Sequence, residues 1–157
     1  MNIGSLLSPN AVAFDSDASS KRQALKALAQ LAEQVTGIDQ TQIFETFSVR
    51  ERLGTTDLGN GIAVPHGRFE ALDRCTLLAL RLSNPIAFDE DAEEPVDLLF
   101  ALLVPENAAK DPQKALNCLS RDLASPSLRG ALRQAENTDA FYRVIMDLGS
   151  AEQREAA

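Results

Sequence analysis

Tryptophan is missing from this chain, histidine occurs once and cysteine only twice. A single histidine and two cysteines, with no Cys-x-x-Cys pair, are too few ligands for an ordinary zinc site, so no metal and no cofactor are expected. Cys75 and Cys118 lie far apart and read as free thiols, which suits a cytoplasmic compartment. No apolar run approaches the roughly 18–20 residues of a membrane span. Met1 to Asn10 lacks the basic and long apolar regions of a secretory signal. Excess positive charge is also lacking: the formal net charge is −8 and the pI about 4.6. That balance argues against non-specific nucleic-acid binding and against adhesion to an anionic membrane. It fits a soluble protein that meets basic surfaces on partner proteins. There is no Gly-x-Ser-x-Gly elbow, no P-loop and no dinucleotide fingerprint. Nothing in the spacing brings two carboxylates together for hydrolysis.

What remains is one domain's worth of chain, 157 residues, read as a unit over 1–150 followed by a flexible tail over 151–157. Ala11 to Phe14 reads as a short strand. Ser19 or Ser20 caps a helix whose Leu25, Leu28, Leu31 and Val35 recur at helical spacing until Gly37. Asp39 caps a second helix, with Ile43, Phe44 and Phe47 on its apolar face, extending toward Arg52. Thr76 to Leu82 is a buried strand, Asn84-Pro85 a turn, and Ile86 to Phe88 a further short strand. Asp89 to Glu94 is a solvated acidic loop. Val96 to Val104, bounded by Pro95 and Pro105, is the most apolar stretch and reads as a central strand. The last third is helical. Asp111-Pro112 and Ser125-Pro126 both place a cap before a proline, and Thr138 with Asp139 opens a helix with Phe141, Val144, Ile145 and Leu148 inward, stopped by Gly149. One strand, two helices, several strands and three helices make an α/β sandwich.

The lone imidazole, His66, sits in Gly59-Asn60-Gly61-Ile62-Ala63-Val64-Pro65-His66-Gly67-Arg68. A lone histidine is more often a surface or core residue than a catalytic one. Among three glycines and a proline, however, it stands on a tightly shaped loop beside exposed amides. Backbone amides and Arg68 suit an anionic group such as a phosphoryl. Arg50 ends the preceding helix, and a fold-back at Gly54 would bring its guanidinium to the imidazole. Thr55 and Thr56 could donate to the same oxygens. For a histidine nucleophile one ring nitrogen must be free while the other donates to an acceptor, here a backbone carbonyl of the loop. Each residue also has a plainer reading: Arg50 in a surface ion pair with Glu51 or Glu45, Arg68 in solvent, and the threonines capping a turn.

Arg50-Glu51, Thr55-Thr56 and the segment from Gly59 to Gly67, together with Asn84 to Phe88 and Pro95 to Pro105, resemble the enzyme IIA domains of the fructose and mannitol class of the bacterial phosphoenolpyruvate-dependent phosphotransferase system. The resemblance runs from Leu6 to Leu148 and is greatest to the nitrogen-regulatory branch. It implies a three-layer α/β/α sandwich with a mixed sheet. It implies a phosphotransferase whose His66 accepts a phosphoryl group on Nε2 from a phosphohistidine on an HPr-like carrier, with Arg50, Thr56, Gly67 and Arg68 around that group. In sugar-transporting members the group passes on to an enzyme IIB; in the nitrogen-regulatory branch the phosphorylation state governs binding to regulatory target proteins. A binding module that is no longer phosphorylated is the third alternative. Two positions depart from the pattern. Asp57 replaces a usual glycine and is expected to face solvent. Pro112 stands where the family often carries a second histidine, so no role of that histidine carries over.

Overall fold

The first helix begins where a hydroxyl can take up an amide that the helix leaves unpaired. Ser20 Oγ accepts from Gln23 N at 3.1 Å, and at the other end the Gly37 N–H closes onto the Glu33 carbonyl at 2.8 Å. A computed structural model describes residues 3–107 and 111–156, with side-chain surroundings for 3–107 and 112–147. After a 3-10 turn at Ile3–Leu6 come β1 (Leu7–Ser16), α1 (Lys21–Thr36), α2 (Gln40–Leu53), β2 (Asp57–Gly59), β3 (Ile62–Ala63), β4 (His66–Phe69), β5 (Thr76–Ile86), β6 (Val96–Pro105), α3 (Asp111–Leu123), α4 (Pro126–Gln134) and α5 (Thr138–Ala156).

β6 is the axis of a mixed sheet ordered β1-β5-β6-β3-β2, with β4 also on β6. β5 lies antiparallel to it, and β3 and β4 lie parallel to it. Leu98 to Leu103 are wholly buried, as a central strand covered on both faces must be. The molecule is a three-layer α/β/α sandwich. α1 and α2 pack together over one face, where Phe47 of α2 meets Phe69 of β4 edge-on at 6.3 Å. α3, α4 and α5 take the other, where Phe141 of α5 meets Phe14 of β1 at 6.1 Å.

Several boundaries differ from the sequence reading. β1 is longer than Ala11 to Phe14; it carries Pro9 because it is an edge strand, where a missing N–H is tolerated. Asn84-Pro85 makes no turn. β5 runs through it to Ile86, and pairing with β6 is irregular between Arg81 and Ile86, the kind of bulge that admits a proline. Asp39 makes no side-chain cap; Glu33 Oε2 accepts the Gln40 N–H at 2.8 Å in its place. Ser125 caps α4, accepting from Leu128 N at 3.3 Å, and Asn137, not Thr138, caps α5 by accepting from Ala140 N at 2.8 Å. Phe141 and Ile145 are buried as read. α5 passes Gly149 and ends at Ala156, because an isolated glycine weakens a helix without stopping it. The inward position read for Leu148 and the cap read for Asp111 lie outside the described side chains.

Candidate functional site

The segment read as a glycine-rich loop is a hairpin followed by an edge strand. Asn60 and Gly61 both have positive φ, 59° and 79°, as the two central residues of a type I′ hairpin require. Val64 N returns to the Thr56 carbonyl at 3.0 Å. From Ile62 onward the chain follows β6 in one unbroken register: Ile62 faces Leu98, His66 faces Leu102 and Phe69 faces Pro105. β3 and β4 are thus one strand interrupted at Pro65, which has no N–H to offer but whose carbonyl still accepts from Leu102 N at 2.9 Å.

Strand alternation sorts the residues of β4 between two faces. His66 and Arg68 lie on the side of Leu102 and Val104, toward α3; Gly67 and Phe69 lie on the side of α2. Gly67 is a glycine because α2 lies against it: a Cβ there would stand 2.6 Å from Thr46 Cγ2. With α2 this close, Arg50 in its last turn reaches around the sheet edge. Its Nε donates to His66 Nε2 at 3.2 Å, and its Nη1 donates to the Gly54 carbonyl at 2.8 Å. The reading of Arg50 as a mere ion-pair partner of Glu51 or Glu45 is therefore replaced by contact with the imidazole. His66 Nδ1 lies 2.9 Å from the Val64 carbonyl. A carbonyl only accepts, so Nδ1 carries the proton and Nε2 the lone pair. Nε2 opens on a cleft of about 520 Å³ between α2, β4 and α3, lined among others by Val49, Leu53, Arg68, Pro112 and Gln113.

The other expected residues divide. Arg68 is exposed on the cleft wall and donates to the Glu106 carbonyl at 3.2 Å. Thr55 is a turn residue, its hydroxyl accepting from Asp57 N at 3.1 Å. Thr56, expected beside the phosphoryl group, does not line the cleft. It is buried, and its hydroxyl and amide both go to the carboxylate of Glu51. A buried hydroxyl takes the nearest strong acceptor, and here that acceptor is a carboxylate one helical turn's end away. Asp57 does not simply face solvent either: it is half-buried, and its Oδ1 accepts the Gly59 N–H at 2.8 Å in an Asx turn. Two supports were not anticipated, Glu51 beneath the loop and Arg133 of α4. Arg133 binds Asp97 through Nε at 3.0 Å and Nη2 at 2.9 Å and also reaches the Asn60 carbonyl. Among the described residues no group of three His, Cys, Asp or Glu side chains could hold a metal ion.

Residues 5–147 match the family described as phosphoenolpyruvate-dependent sugar phosphotransferase system, EIIA 2. The chain belongs to this family. This EIIA domain is 39% identical over 145 residues to the nitrogen regulatory protein of Bradyrhizobium diazoefficiens, covering 92% of this chain and 95% of that one. Among solved structures it resembles nitrogen regulatory protein IIA-Ntr from Neisseria meningitidis, with a TM-score of 0.84 at 31% identity over 91% of this chain and 98% of that one. The IIA mannitol domain of Escherichia coli shares the fold, with a TM-score of 0.73 at 20% identity over 88% of this chain and 97% of that one. In this EIIA domain α3 contributes Pro112 to the cleft wall, a residue with neither a side-chain nor a backbone donor. No helix is long and apolar enough to cross a membrane among the described residues.

Proposed function

We propose that this EIIA domain is a phosphocarrier that regulates other proteins: His66 takes a phosphoryl group from the phosphohistidine of an HPr-like carrier, and its phosphorylation state controls target binding in nitrogen-related regulation. The observation that carries the reading is the orientation of the imidazole, with Nδ1 on the Val64 carbonyl and Nε2 under Arg50. In the transfer, Nε2 attacks the carrier's phosphorus. The phosphorus–nitrogen bond to the carrier's imidazole breaks as a new one forms on Nε2, and the His66 proton stays on Nδ1. Such a reaction needs alignment and charge stabilisation more than covalent help. Arg50 is already hydrogen-bonded to the attacking atom, so a small rotation turns its fork from the lone pair to the incoming oxygens. Arg68 adds a second cation on the cleft wall. The regulatory part rests on similarity to proteins named nitrogen regulatory protein. A phosphoryl group adds about 1.5 to 2 negative charges, enough to change which surfaces the cleft accepts.

Intact-mass spectrometry after incubation with phosphoenolpyruvate, enzyme I and the HPr-like carrier tests this directly. The expected result is the mass of one phosphoryl group, labile to acid and absent from His66→Ala. An unmodified chain beside a fully phosphorylated carrier would overturn the proposal and leave a binding module.

A further inference from the structure

The loop whose carbonyl selects the His66 tautomer is held from beneath by one carboxylate. Glu51 follows Arg50 in α2 but points inward, and its side chain is 5% exposed. Both of its oxygens lie 3.3 Å from Thr56 N, and Oε1 also accepts the Thr56 hydroxyl. Oε2 pairs with Lys21 Nζ of α1 at 2.9 Å, and that ammonium in turn sits 4.6 Å from the centre of the Phe88 ring. A carboxylate this buried persists only when paired and hydrogen-bonded on both oxygens, and Glu51 is.

Thr56 passes this anchoring on. Its carbonyl accepts Val64 N–H at 3.0 Å, and the Val64 carbonyl accepts His66 Nδ1–H at 2.9 Å. Arg50 selects the same tautomer only while it stays on Nε2. Once its guanidinium turns to a phosphoryl group, the Val64 carbonyl is the selector left in place. We propose that Glu51 is a positioning residue for phosphoryl transfer, which holds, through Thr56 and Val64, the proton on Nδ1 that leaves His66 Nε2 free to accept. The kinetic part rests on the phosphocarrier reading above; the tautomer part does not.

Nitrogen-15 NMR of the His66 ring, recorded in an Arg50→Ala background so that the Val64 carbonyl is the remaining selector, and single-turnover phosphorylation by the phosphorylated HPr-like carrier, measured with Arg50 in place, test it with the wild-type residues at 51 and 56, Glu51→Gln, Thr56→Val and Thr56→Ser. A glutamine presents one acceptor oxygen where Glu51 uses two, and valine presents no hydroxyl. The wild-type residues and Thr56→Ser are expected to hold a single Nδ1–H tautomer. Glu51→Gln and Thr56→Val are expected to show mixed ring-nitrogen shifts and a maximal rate lower by about tenfold, the effect of one buried charge-assisted hydrogen bond, at unchanged KM for the carrier. A single Nδ1–H tautomer in folded Glu51→Gln and Thr56→Val overturns the proposal. If Glu51→Gln does not fold, the contrast between Thr56→Val and Thr56→Ser decides alone. If wild type takes no phosphoryl group, the phosphocarrier reading fails while the tautomer comparison still decides the role of Glu51.

Discussion

Gly67 has an ordinary strand conformation, and what it contributes is the absence of a side chain. Its place beneath Thr46 lets the last turn of α2 lie low enough for Arg50 to meet His66. Gly67→Ala is expected to lower stability by about 1–3 kcal/mol, the usual range for overpacking, and to slow phosphorylation as α2 is pushed off. Thr46→Ser removes the clashing Cγ2 and keeps the hydroxyl that donates to the Gln42 carbonyl at 2.8 Å. The double variant Gly67→Ala with Thr46→Ser should therefore recover most of both losses in urea titration and in the transfer assay. If Gly67→Ala alone is as stable and as fast as wild type, the packing account fails. At this scale the sequence showed which residue types belong to the site, but not where each one points. Thr56 was legible as a polar residue near His66, yet its orientation depends on Glu51, which spacing alone suggested only as a surface partner of Arg50. Asp57 likewise turned one carboxylate oxygen to the Gly59 amide of its own loop, while its Oδ2 is buried without a hydrogen-bond partner.

Among the elements, the strongly periodic ones were legible: α1, β6 and α4 lie close to where apolar spacing and caps put them, and β5 begins where it was read but runs on through Asn84-Pro85. The hairpin and β4 were not, although the Asn60-Gly61 pair is itself a hairpin signal. Strands this short have too few residues for alternation to show, and they exist because β6 offers an edge to pair with. What pins the hairpin is α4. Arg133 joins Asp97 of β6 to the Asn60 carbonyl, and it fills the space that a Cβ on Gly61 would need. Arg133→Met keeps the stem and removes the charged fork. It is expected to cost about 1–2 kcal/mol, less than a fully buried pair because both side chains remain partly exposed. The loss should appear as a lower urea midpoint at unchanged slope, with faster amide exchange at Asn60 and Gly61. Unchanged exchange there would mean that the turn holds itself.

Across the whole molecule, an acidic chain sets two of its 15 Lys and Arg side chains, Arg50 and Arg68, beside a half-buried imidazole, and it exposes apolar surface in the same place. Among the described residues the exposed large apolar side chains are Val49, Leu53 and Leu58, and the first two line the His66 cleft. Single exposed apolar side chains are ordinary, but a valine and a leucine together beside His66 form a surface that a docked partner can cover, with water excluded from the proposed transfer. Leu53, 81% exposed at the end of α2, contributes little to the fold, so Leu53→Gln should change stability by no more than about 0.5 kcal/mol. Loss of its apolar contact with a docked carrier is expected to raise the carrier KM by about fivefold, because burying a leucine stabilises by roughly 1.5–3 kcal/mol and part of the Leu53 surface stays wet. The maximal rate should not move, since an apolar contact made equally in the docked ground state and the transition state changes binding and not the rate of the bound complex. A fall in maximal rate at constant KM would instead place Leu53 in the alignment of the reacting atoms, and no change in either would place the carrier's footprint away from this end of α2.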